Sequence, residues 1–174
     1  MNKVIAITTT VLVLGLVNFS IYHKEKLIHE GSEVLLELAP VDPRSLMQGD
    51  YMTLRLAIAR DIRTQFKKAK EGVAENQNHD GQIIVAVDDN GVAKFKTLGT
   101  NIENPNTMLL KYRVRNGKLK FGTNAFFFEE GSASLFDTAR YGVFKVASDG
   151  EMILVDMADE SFKRIKQGLL ATES

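Results

Sequence analysis

Polar and apolar positions along this chain fall into two regimes. From Val4 to Tyr22 no residue is charged, and no comparable run follows. A helix of these 19 residues rises roughly 28 Å, close to the hydrocarbon thickness of a bilayer. The spacing therefore predicts a transmembrane helix. Its exit, Leu16-Val17-Asn18-Phe19-Ser20-Ile21-Tyr22, offers no Ala-x-Ala-like cleavage site, and the run is longer than most signal-peptide cores. A buried soluble helix would seldom be apolar on every face. The pattern thus favours an uncleaved anchor, with Thr8, Thr9 and Thr10 bonding back to carbonyls one turn earlier. Tyr22 stands where an interfacial aromatic belongs.

Beyond the run the pattern predicts that His23 to Glu30 carry the helix out of the bilayer and that Gly31 stops it. From Glu33 the period becomes two. Val34, Leu36 and Leu38 alternate with polar residues as a half-buried strand, and Met52, Leu54 and Leu56 do the same after the breaks at Pro40 and Pro43. Ile58, Ile62, Phe66 and Ala69 recur at helical spacing between basic residues, the one amphipathic helix of the remainder. Its basic face suits either solvent or acidic lipid head groups. Three hairpins follow. Asp89-Asn90-Gly91 joins Ile83–Val87 to Val92–Leu98, Asn116-Gly117 joins Met108–Val114 to a strand running from Lys118 to Phe128, and Ser148-Asp149-Gly150 joins Tyr141–Ala147 to Glu151–Met157. Gly131 to Ala139 reads as a short helix with Leu135 and Phe136 inward, and Ala158 to Lys166 as a helical turn with Phe162 and Ile165 inward. The sum is an α+β fold of about eight strands, mainly antiparallel and open to curling into a partial barrel, with one amphipathic helix and the N-terminal transmembrane helix. The chain divides into tail, anchor and juxtamembrane helix over 1–30 and a β-rich domain over 31–174.

Composition narrows the chemistry. About 150 residues remain after the anchor, enough for one core. Acidic and basic residues balance at 22 each, so there is no basic stripe for nucleic acid. With no cysteine, disulfides and thiolate sites are excluded, and the three scattered histidines form no ligand-spaced pair. No metal, cofactor or catalytic residue is nominated. Asp88, Asp89 and Asn90 look superficially like a calcium loop, but a hairpin explains them without the distal Glu of an EF-hand. Lysines on either side of the anchor nearly cancel the positive-inside bias, so orientation rests on the default for a very short N-terminal tail, which stays cytoplasmic.

Two segments are odd for a plain sheet protein. Ala39 to Tyr51 holds two prolines and Asp42, Arg44 and Asp50. The prolines fix two φ angles, so the loop is expected to be stiff and anchored by Arg44, either presenting functional groups or making a structural corner. The other segment is Phe126-Phe127-Phe128-Glu129-Glu130-Gly131, followed by Ala139-Arg140-Tyr141-Gly142. Adjacent Glu129 and Glu130 would point apart when extended, a poor glycosidase pair, and suit a helix start better. Charge compensation suggests that the two segments meet, with Arg140 facing Asp50, Glu129 or Glu130 and Tyr51 and Tyr141 flanking the pair. Asp42, Arg44, Asp50, Tyr51, Glu129, Glu130, Arg140 and Tyr141 are the candidate cluster.

Gly49-Asp50-Tyr51-Met52-Thr53-Leu54-Arg55-Leu56, with Pro40 to Ser45 before it, resembles the GDYXXLXY family of bacterial membrane-anchored proteins, as do the Phe127–Gly131 and Ala139–Gly142 segments. Leu56 replaces the final Tyr of the motif. The resemblance implies an extracytoplasmic domain on a single anchor in the inner membrane, facing the periplasm, in bacteria that are largely Gram-negative. It also implies frequent encoding beside polytopic membrane proteins, and no assigned activity or cofactor. Two functions follow as expectations. One is an accessory or interaction module working with a polytopic membrane protein or an envelope component. The other is a membrane-anchored hydrolase, since Leu46-Met47-Gln48-Gly49-Asp50 resembles the stretch after the nucleophile of Ser-Lys signal peptidases. In that case Ser45 lacks the preceding motif and a lysine nominated by spacing.

Overall fold

The structure is a computed structural model that describes residues 2–39, 47–48, 51–68, 78–102, 104–123 and 125–165. Helix α1 (Asn2–Glu30) is continuous. Its stretch Lys3–Glu30 is long and apolar enough to cross a membrane, and its most apolar window is wholly unburied. Within its uncharged run Asn18 donates its side-chain amide to the Leu14 carbonyl at 2.8 Å, the internal satisfaction an apolar surrounding requires. Gly31 donates its N–H to the Leu27 carbonyl, and a Cβ there would collide with that same oxygen. Only glycine lets the chain leave the helix so abruptly, and β1 begins one residue later.

The ten strands of the described residues form three antiparallel sheets. The first has β1 (Ser32–Glu37) and β10 (Met152–Ala158) on either side of β9 (Tyr141–Val146). The second pairs β2 (Met47–Gln48) and β8 (Ala125–Phe127) with a central β3 (Tyr51–Thr53). The third runs in the order β5 (Ala93–Leu98), β4 (His79–Val87), β6 (Thr107–Arg115), β7 (Lys118–Phe121). No closed barrel forms among them. Helix α2 (Ile58–Lys68) lays Ile58 and Ile62 onto the main core with Val34, Leu36, Ile83, Leu110 and Phe144.

Each expected hairpin is present, and the turn chemistry explains why. Asn116 and Gly117 both have positive φ, 52° and 69°, as a two-residue hairpin with the right twist requires. Asp88 accepts N–H bonds from Asn90 at 3.1 Å and Val92 at 3.0 Å, so its carboxylate is occupied in closing a turn. Ala147 and Glu151 close the third hairpin through a 2.8 Å bond from the Ala147 N–H to the Glu151 carbonyl.

Four local expectations are corrected. β1 is not half-buried: Leu35 points away from the main core but is covered by Val92, Val143 and Ala158. The strand expected from Lys118 to Phe128 is two, β7 and β8, because Gly122 turns at φ 41° against the Met152 carbonyl. Ala133–Thr138 is a 3-10 helix that buries Phe136 but leaves Leu135 42% exposed, since a three-residue repeat carries only one of two adjacent apolar side chains inward. The end is a reversal at Phe162, φ 62°, with Arg164 bridged back to Ala158; Asp159 accepts the N–H groups of Ser161 and Lys163, and this turn replaces the expected helical one.

Candidate functional site

The two odd segments come together through the second sheet. β3 runs antiparallel to β8 with Tyr51 opposite Phe127 and Met52 opposite Phe126. The alternation then sorts the aromatic run. Phe128 is buried and stacks on Phe136 at 5.4 Å, Phe126 meets the same ring edge-on at 5.0 Å, and Phe127 faces out at 73% exposure, 5.8 Å from the ring of Tyr51. Behind them Met52, Leu54, Phe128, Phe136, Ala139 and Met157 form a separate core cluster. So the segments meet through apolar packing.

Of the charged members of the candidate cluster, Glu129, Glu130 and Arg140 are among the described residues, and all three are exposed. The Glu129 carbonyl, rather than its carboxylate, accepts the Ser132 N–H before the 3-10 helix. Arg140 is fixed by its main chain, accepting from the Leu38 N–H and donating to the Ala158 carbonyl, both at 2.8 Å, so it stitches the ends of β1 and β10 together. Its guanidinium donates to the Ala139 carbonyl at 3.2 Å, and among the described residues no ion pair joins it to Glu129 or Glu130. Tyr141 opens β9 and packs on Phe162 at 5.1 Å. Asp42, Arg44, Ser45 and Asp50, and with them the expected stiff loop, lie outside the described residues.

A second arrangement was not anticipated. A cleft of about 790 Å³ lies between the end of α1, the start of β10 and the outward face of β4 and β6. Strand alternation makes that face polar: Leu110, Tyr112 and Val114 turn into the core, so Lys111, Arg113 and Arg115 must turn out. Gly81 stands opposite Tyr112, and any side chain on it would strike the Tyr112 ring, so bare backbone is what lets that ring lie across β4. The β9–β10 turn is sewn to this face at three points. The Lys111 N–H donates to the Gly150 carbonyl at 2.8 Å, the Lys111 ammonium reaches Asp149 at 2.6 Å, and the Gln82 amide reaches the Asp149 carbonyl at 3.1 Å. The end of α1 closes the other wall, where His23 and Lys24 both grip Glu151, His23 at 3.2 Å, and Leu27 is buried. Lys24 holds the Glu151 carboxyl below its usual range, and Lys111 does the same for Asp149. Burial pushes the Tyr112 phenol up.

A family model described as GDYXXLXY protein matches residues 13–157. The chain belongs to the GDYXXLXY family. No curated protein and no solved structure matches the chain. Within this GDYXXLXY protein the signature has a visible job. Tyr51 lies on the outer side of β3, Met52 and Leu54 are core, and Leu56, which replaces the motif's last Tyr, forms a bridge with Leu38 and packs on the main core. The motif strand therefore joins the second sheet to the first.

Residue-by-residue reading could not find the cleft because its walls come from positions more than 120 apart, such as Lys24 and Glu151. The only local signal was the outward row Lys111, Arg113, Arg115.

Proposed function

We propose that this GDYXXLXY protein is a single-pass accessory module of the bacterial inner membrane. Its uncleaved N-terminal helix anchors a periplasmic domain that works against a neighbouring polytopic membrane protein or envelope component. The observation that carries this reading is the junction between α1 and the domain. Tethered modules that search for partners usually hang on flexible linkers. Here a single residue separates helix from strand, Leu27 is buried in the domain, and Lys24 and His23 are clasped to Glu151. A domain held at fixed height and heading suits a neighbour that is itself fixed in the membrane. The outward Phe127, backed by Tyr51 in the family signature, is an apolar contact of the kind interfaces use.

Topology reporters fused after Ser174 test the orientation: an enzyme active only outside the cytoplasm should be active, and a fluorophore that matures only inside should stay dark. A photo-crosslinking residue at Phe127 in intact cells should then yield an adduct with an integral membrane protein. A mature N-terminus near Ile21, or a cytoplasmic Ser174, overturns the proposal. The Ser-Lys hydrolase alternative has no comparable observation behind it, since Ser45 lies outside the described residues.

A further inference from the structure

Three cations project in a row from the outward face of β6 into or beside the cleft, and they are not equivalent. Lys111 is bound to Asp149 and Arg115 to Asp80, each at 2.6 Å. Arg113, between them, has Asp80 directly opposite in the strand register. Asp80 nevertheless reaches diagonally to Arg115. Among the described residues the Arg113 guanidinium keeps one hydrogen bond, to the Gly122 carbonyl at 3.2 Å, and no carboxylate. A guanidinium has five N–H donors in a planar fork that fits two oxygens of a phosphate. The hydroxyl-bearing Thr100 and Thr123, both exposed, line the same cleft, and Met152 and Ile153 add apolar wall. Lys24 closes it two residues beyond Tyr22, at the end of the uncharged run of α1.

We propose that this cleft takes the phosphate of a membrane phospholipid head group, with Arg113 as its principal ligand. The assignment rests on the anchored reading above, because that reading sets the cleft at the bilayer surface. Position favours a lipid over a soluble phosphate ester. A lipid phosphate lies at the level where the helix leaves the hydrocarbon, and the half-buried Ile153 offers contact to the glycerol and first methylenes. Lys111 and Lys24, each neutralised by its own acid, shape the walls and leave the net attraction to Arg113.

The full-length protein, carrying a photo-crosslinking residue in place of Thr123, is placed in nanodiscs of phosphatidylcholine with phosphatidylglycerol. Lipid adducts are counted by mass spectrometry. Adducts should form in the unmutated background and fall about tenfold in Arg113→Gln, the scale of one charge-assisted phosphate contact. Arg113→Lys should lie between, and Lys94→Gln, which removes an exposed cation beside Asp88 at the far end of the third sheet, should change little. Since Arg113 is exposed, all variants should unfold at the same temperature. Equal adduct yields in Arg113→Gln and the parent, or an equal fall in Lys94→Gln, overturn the proposal. Millimolar glycerol phosphate that abolishes the adducts shows a phosphate site fed from solution and overturns the lipid assignment. Protein that fails to enter the nanodisc overturns the anchored reading, whereas protein that enters without forming adducts overturns the cleft alone.

Discussion

Three consecutive phenylalanines carry two different burdens, and the backbone decides which. Phe126 and Phe128 face the second core cluster and Phe127 faces away. Phe128→Ala should cost about 3–5 kcal/mol, as for a large core aromatic. Phe127→Ser should leave the unfolding midpoint within about 0.5 kcal/mol. Chemical unfolding of the detergent-solubilised chain checks both, and a large loss on Phe127→Ser would show that the ring serves the fold. Acid sensitivity is also a residue-scale property. Asp88 is held low by the Val92 N–H, Asp149 by Lys111 and Glu151 by Lys24. Each carboxylate binds its proton less readily folded than unfolded, so its contribution is full above the unfolded pKa and fades as pH falls through the folded one. Thermal midpoints should therefore hold level down to about pH 4 and then decline. Asp149→Asn should flatten that decline; an unchanged slope would remove Asp149 from the account.

At the scale of elements, local signals and long-range ones part company. Hairpins were legible because Asp-Asn-Gly, Asn-Gly and Asp-Gly turns carry their own backbone geometry. The amphipathic helix was legible from Ile58, Ile62 and Phe66. The end at Phe162 was misread because its apolar spacing imitates a helix while Asp159 collects the turn's N–H groups. The pairing of β3 with β8 was expected from charge, yet apolar packing through Met52 and Phe128 accomplishes it. The cleft was illegible because register, not sequence distance, sets Asp80 opposite Arg113 and then sends it to Arg115. The clasp on Glu151 belongs at this scale too. Its partners are partly exposed, so Glu151→Gln should cost no more than about 1 kcal/mol of stability. It should nonetheless raise hydrogen exchange in residues 24–30 several-fold, because the helix end would lose its charged hold on the start of β10. Unaltered exchange there would mean that the ion pairs do not set the junction.

For the whole molecule, the unbroken passage from α1 to β1 has a mechanical consequence. A helix turns by about 100° and climbs about 1.5 Å with each residue. The clasp and Leu27 follow Tyr22 in the chain, so residues added between Tyr22 and His23 would rotate the entire domain about the axis of α1 without disturbing its attachment. One inserted alanine would swing Phe127 through roughly a quarter of a circle or more. Four would bring it back to within about 40° of its starting azimuth while lifting it by about 6 Å. If the neighbour proposed above meets both the lipid-embedded helix and the domain, the Phe127 photo-adduct should vanish with one or two alanines and return in good part with four. A yield that declines smoothly with insertion length would indicate contact through height alone. Heading, then, is a property that α1 hands to the domain, as a shaft transmits the angle of its key.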